Sequence, residues 1–156
     1  MSTKATFALA DPILAMPRPL KRLLVLLLDI LLCMVSVWVA FYLRLDEWIR
    51  FYGDPFWRAD WAAAISVILA IPLFITHGFY RVIFRHANSI ALAMVARAFL
   101  FYWLAFATII SLIGITGIPR SVGVIQPMLL FIGVGLSRAV AHYWLGGAYH
   151  RILKRT

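Results

Sequence analysis

Residues 21–45 read KRLLVLLLDILLCMVSVWVAFYLRL, and the way this stretch is read decides the fold. Two basic residues, Lys21 and Arg22, precede a run from 23 to 43 whose single formal charge is Asp29. As a helix rising about 1.5 Å per residue, that run covers roughly 30 Å, the hydrocarbon thickness of one bilayer. Arg44 closes it at the far end. A carboxylate inside such a span costs about 2.5 kcal/mol or more on insertion scales, so Asp29 should face protein and have a partner. Asp29, Cys33, Ser36, Ala40 and Arg44 fall on one side of a helix of 3.6 residues per turn, and the other side is Leu, Ile, Val and Trp. The stretch predicts a first membrane helix with a lipid face and a packing face.

Composition agrees. Hydrophobic residues make up 64% of the 156 and charged residues 13%, against a globular average of about 45–50% and 25%. The apolar surplus is gathered into four blocks, within a length that suits one domain. A formal charge of +9 raises nucleic acid as a partner. The charges flank apolar blocks instead of lining a soluble face, which argues against it. Cys33 is the one cysteine, so no intramolecular disulfide forms.

The expected fold class is all-α, a polytopic four-helix membrane bundle, with spans at about 22–44, 61–80, 91–118 and 122–144. Residues 1–20, with Pro12, Pro17 and Pro19, read as a cytoplasmic leader. The first apolar run exceeds a signal-peptide h-region and lacks a small-x-small cleavage site, so it reads as an uncleaved anchor. Between the first two spans, Trp48, Phe51, Tyr52, Phe56, Trp57 and Trp61 cluster as an interfacial aromatic belt. Pro72 predicts a kink in the second span, and His77 lies near its end. Asn88 or Ser89 can cap the third, on which Arg97, Leu104, Thr108 and Ser111 share a face. Gly114, Gly117 and Pro119 end it. In the fourth span, Gly133 with Ser137 and Gly135 with Ala139 give small-xxx-small spacings that permit close helix packing. Gly146-Gly147 is expected to break this helix before a basic tail, 146–156. Gly133-Val134-Gly135 has no preceding strand and no third glycine, so it is not a dinucleotide loop. His77, His86, His142 and His150 have no metal-ligand spacing.

Charge sets the orientation. With a cytoplasmic N-terminus, Lys4, Arg18, Lys21, Arg22, Arg81, Arg85, Arg97, Arg138, Arg151, Lys154 and Arg155 lie inside, 11 of the 15 basic residues. Arg44, Arg50, Arg58 and Arg120 lie outside with all four loop acids. The positive-inside rule places both termini in the cytoplasm. Depth along the helices names Arg138 as the first expected partner of Asp29 and Arg97 as the second, in a pair that fixes helix register.

Three features together resemble a known family. They are the basic-flanked span with an early Asp29 and a closing Leu43-Arg44, the Gly78-Phe79-Tyr80-Arg81 turn with Arg85 and Ser89, and the Pro119-Arg120-Ser121 turn with Arg138 near the end of the last span. They look like the N-terminal membrane region of bacterial polysaccharide-biosynthesis nucleotide-sugar epimerase/dehydratases, of the membrane-bound UDP-N-acetylglucosamine 4,6-dehydratase type. The resemblance covers residues 18–149. It implies an inner-membrane anchor for a cytoplasmic Rossmann domain that binds NAD. That domain would oxidise the sugar at C4 and eliminate water across C5 and C6, in the synthesis of O-antigen or capsule. No Tyr-x-x-x-Lys pair or Gly-rich strand–helix turn occurs here, so no catalytic residue carries over, and the catalytic domain would follow residue 156. The expected partners are the bilayer, that domain, other glycan-assembly membrane proteins or a second copy.

Competing readings are the related membrane region of polyprenyl-phosphate phosphoglycosyltransferases, a small transporter or lipid-linked-sugar flippase, and a subunit without chemistry of its own. Asp29 lies near one end of its helix, whereas transport sites lie near the midplane.

Overall fold

The computed structural model describes residues 16–76 and 89–153, with side chains described at 16–76, 93–141 and Tyr143. Among the described residues there are helices and no strand. Helix α1 is Arg18–Leu45, α2 is Ala59–Thr76, α3 is Ser89–Ala107, and α4 is Val122–Leu153. A π-helical stretch, Thr108–Gly114, continues α3. Four segments, Arg18–Leu45, Ala59–Thr76, Ala93–Gly114 and Val122–Ala141, are long and apolar enough to cross a membrane.

Helix α1 opens directly after Pro17, with Pro19 in its first turn, where a missing N–H leaves no bond unmade. It closes on Asp46, which takes a left-handed conformation (φ 57°) and donates its N–H to Tyr42 O at 2.8 Å. Each helix packs against its neighbour in sequence, and α4 closes the ring on α1. Val37, Ala40 and Phe41 share one buried core with Ala63, Ala70 and Phe74 of α2, Phe106 of α3, Ile110 of the π-helical stretch, and Leu130 and Val134 of α4. Phe99 bridges three helices, with its ring centroid 5.2 Å from Phe74 and 5.0 Å from Phe131. Outside lie large apolar side chains: Leu27 is 55% exposed, Ile68 69%, Leu112 77% and Leu136 61%.

The end carrying the α1–α2 and α3–α4 connections is tied together. Trp48 stacks on Tyr42 with centroids 4.1 Å apart and tilts against Trp38 at 4.8 Å. Trp38 Nε1 donates to Ile49 O at 3.1 Å, so the start of the connection folds back on α1, while Tyr52, Phe56 and Trp61 stay exposed. Arg58 N–H donates to Gly117 O at 2.8 Å, joining the two connections. Gly117 has φ 83°, and a Cβ there would lie 2.7 Å from Arg58 Cγ and 3.2 Å from Phe56 O, so only glycine fits. Gly114 (φ 76°) ends the α3 segment, four residues before the expected boundary at 118.

Three readings change. Helix α4 runs unbroken through Gly146-Gly147 to Leu153. Each glycine weakens a helix by only about 1 kcal/mol, and no proline follows to stop it. The Gly135–Ala139 pair faces outward: both residues are exposed, and a Cβ on Gly135 would meet nothing within 4 Å. The buried line of α4 is Gln126, Leu130 and Val134, and Gly135 is turned about 100° away from it. On α3, Arg97, Leu104 and Thr108 do share a face, which is exposed, but Ser111 does not share it. The wider π turn swings Ser111 off it, so that Ser111 Oγ donates to Arg120 O at 2.7 Å. The turn at 78–81, Arg85, His77, His86, the Asn88 cap and Lys154–Arg155 lie outside the described residues.

Candidate functional site

The polar groups within the bundle form two layers. The deeper one takes one residue from each helix: Ser36 of α1, Ser66 of α2, Tyr102 of α3 and Gln126 of α4. Ser66, Tyr102 and Gln126 are fully buried, and Ser36 nearly so. Tyr102 OH donates to Gln126 Oε1 at 2.8 Å, and Gln126 Nε2 donates to Ser66 Oγ and Ser36 Oγ at 3.0 Å each. Ser66 Oγ lies 2.8 Å from the Tyr102 oxygen and, because the tyrosine proton is already committed, donates to it. Ser36 Oγ passes its own proton to Cys33 O at 2.9 Å. Tyr102, Gln126 and Ser66 therefore close a ring of hydrogen bonds in which every proton has an acceptor. A flipped amide would leave one N–H without an acceptor, which fixes the orientation of Gln126.

Each of these side chains arrives there by helical spacing. Ser36 continues the buried line from Asp29 through Cys33, and Tyr102 sits one turn from Phe106 and two from Ile110. Ser66 lies between Ala62 and Ala70, whose small side chains let α2 come close. Sequence reading placed Ser36 on a packing face but did not pick out Ser66, Tyr102 or Gln126. The available signal was Gln126, the one side-chain amide within four apolar blocks.

The second layer lies seven residues away along α1, roughly 10 Å. Arg138 Nη2 donates to both Asp29 oxygens, at 2.9 and 2.7 Å. Asp29 is fully buried, and the Arg138 side chain is 16% exposed. A carboxylate at this depth is tolerated because an always-charged guanidinium neutralises it and supplies directed donors. The structure thus brings Asp29 and Arg138 together and leaves Arg97 apart, exposed on α3 with no ion pair among the described residues.

The small residues divide. Gly133 faces α1, where its Cβ would sit 3.4 Å from Leu32 Cδ2, and Ser137 Oγ bonds back to Val134 O at 2.8 Å. Gly135 takes no part. Among the glycines of α4 described, Gly123 has the tightest contact with a neighbouring helix, and sequence reading passed over it. A Cβ there would collide with Ser111 Oγ and lie 3.1 Å from Ile110 Cβ.

Chemically, the arrangement is closed. The ring, with Ser36, joins all four helices and the ion pair joins α1 to α4, which locks rotation and register. Compared with family models, with curated proteins and with solved structures, the chain matches none.

Proposed function

We propose that the chain is a four-span domain of the bacterial inner membrane, with both termini cytoplasmic, that anchors and organises a nucleotide-sugar 4,6-dehydratase/epimerase of surface polysaccharide synthesis. The observation that carries the anchoring part is the inverted polarity of the bundle. Asp29, Ser36, Ser66 and Gln126 are inside and satisfied, while Leu, Ile, Phe and Met side chains cover the outside. Lipid suits such an exterior, and every polar group within the hydrocarbon must find a partner in the protein. The filled centre favours anchoring over transport. Ser66 and Tyr102, near the middle of the candidate spans Ala59–Thr76 and Ala93–Gly114, are bonded to one another and to Gln126, where a transporter would keep a hydrated site.

The enzyme assignment rests on the resemblance of residues 18–149 to the membrane region of that dehydratase family. NAD belongs to the expected catalytic domain. The described residues contain no strand–Gly-rich turn–helix unit to cradle its pyrophosphate, so no chemical step is assigned to them. The basic tail would lead into that domain on the cytoplasmic side.

The test is to read the gene past the codon for Thr156 and to assay membrane fractions for the enzyme it encodes. A frame that continues into a Gly-rich strand–helix turn and a Tyr-x-x-x-Lys pair supports the proposal. A basic, membrane-associated domain would reassign it to a phosphoglycosyltransferase. A stop codon, with no dehydratase co-purifying, would contradict the anchor.

A further inference from the structure

We infer that the outer face of α3 around Arg97 binds the phosphate of an anionic phospholipid, at the end of the bundle opposite the α1–α2 and α3–α4 connections. The inference rests on the membrane reading above. The first observation is the position of the residue. Arg97 lies four residues inside the candidate span Ala93–Gly114, roughly 6 Å from its start. It points outward among Met94, Leu100, Phe101 and Leu104, all about half exposed. A guanidinium on an apolar face is costly unless it snorkels to the interface and meets an anion there.

The second observation is that the chain has almost no anion to offer it. Of the six acids, Asp46, Glu47, Asp54 and Asp60 lie at or next to the α1–α2 connection, at the other end, with Arg44, Arg50, Arg58 and Arg120. Four against four, that end is formally neutral. Asp29 is held by Arg138. Among the residues whose side chains are described, Arg18, Lys21 and Arg22 open α1 at the Arg97 end and Asp29 is the one acid there, so this end carries a net positive charge. The complement of that charge must come from outside the chain. A lipid phosphate is the anion present at this depth, and a guanidinium fork matches its oxygens.

The test uses the full chain in phosphatidylcholine bilayers containing spin-labelled phosphatidylglycerol or spin-labelled phosphatidylcholine. The motionally restricted fraction of each lipid gives the relative association constant. Wild type should prefer phosphatidylglycerol. Arg97→Gln should reduce that preference by up to about fivefold, Arg97→Lys by less, and high salt should weaken it. Arg44→Gln, at the neutral end beside Asp46 and Glu47, should leave it unchanged. Equal association of both lipids with wild type, or equal losses from Arg97→Gln and Arg44→Gln, would overturn the inference and leave the charge to a protein partner. Absence of restricted lipid of either kind would instead overturn the membrane reading, and this inference with it.

Discussion

Replacing Gln126 with leucine should loosen all four helices at once, because this amide is the one group bonded to three of its neighbours. The substitution removes the bond from Tyr102 and the two bonds to Ser36 and Ser66. Interhelical hydrogen bonds in membranes average about 0.6 kcal/mol, so three amount to about 2 kcal/mol. A further cost follows from the ring. Without Gln126, Tyr102 and Ser66 hold two protons but only one can be donated between them, which strands a buried hydroxyl at about 1–2 kcal/mol. The expected total is about 3–4 kcal/mol. Tyr102→Phe breaks the same ring, so the double variant should cost less than the sum of the singles by about 1–2 kcal/mol. Equilibrium unfolding in mixed micelles, followed by circular dichroism, measures all three. A loss below about 1 kcal/mol for Gln126→Leu, or additivity within about 0.5 kcal/mol in the cycle, would refute the ring.

Other consequences are equally direct. Asp29→Leu strands the Arg138 guanidinium and should cost about 3 kcal/mol, the lower end of the range for a broken buried pair because Arg138 is partly exposed. Asp29→Leu combined with Arg138→Leu should be milder than either single change, and additive losses in the same unfolding assay would remove the pair. Gly123→Ala should destabilise by about 1–3 kcal/mol, since its methyl collides with Ser111 and Ile110, whereas Gly135→Ala should be neutral or slightly stabilising. A reversed order of midpoints would contradict the helix rotation described. In the α1–α2 connection, the N–H groups of Phe56 and Trp57 hold the Asp54 carboxyl below the usual carboxylate range. The ionised form is therefore favoured by folding. Its contribution is present above the ordinary carboxylate pKa and is lost as pH falls through the lowered folded value. Hydrogen exchange at those two amides should accelerate at acid pH relative to neighbouring amides, and an Asp54→Asn variant should not show the change.

The Asp29–Arg138 pair was legible because charges within apolar blocks are few and their depths can be matched by counting residues. Arg97 had nearly the same depth, and sequence could rank it but not exclude it. Exclusion needed the rotation of α3, which is set by the packing of Phe99, Tyr102, Phe106 and Ile110. The helices themselves followed from hydropathy and length. The ring was less legible, because one serine or tyrosine per helix carries no periodicity and becomes a signal only when four helices place it at one height. Small-residue spacing on α4 showed where a backbone can approach another, not which side does so. That side is decided by the buried line through Gln126, Leu130 and Val134, which turns Gly133 toward α1 and Gly135 away. Gly123 escaped notice because it has no small partner four residues on, and its close contact depends on the π turn bringing both Ile110 and Ser111 against it.

The most direct test of the central claim is cysteine labelling across the cell envelope. The native Cys33 is fully buried, and Cys33→Ala removes any background. On that background, Tyr52→Cys, on a residue 82% exposed in the α1–α2 connection, should react with a membrane-impermeant maleimide in cells whose outer barrier has been opened. Thr156→Cys should react only after the inner membrane is broken. Protection of Tyr52→Cys until lysis, labelling of Thr156→Cys beforehand, or recovery of the chain in the soluble fraction would contradict a four-span domain with its termini in the cytoplasm.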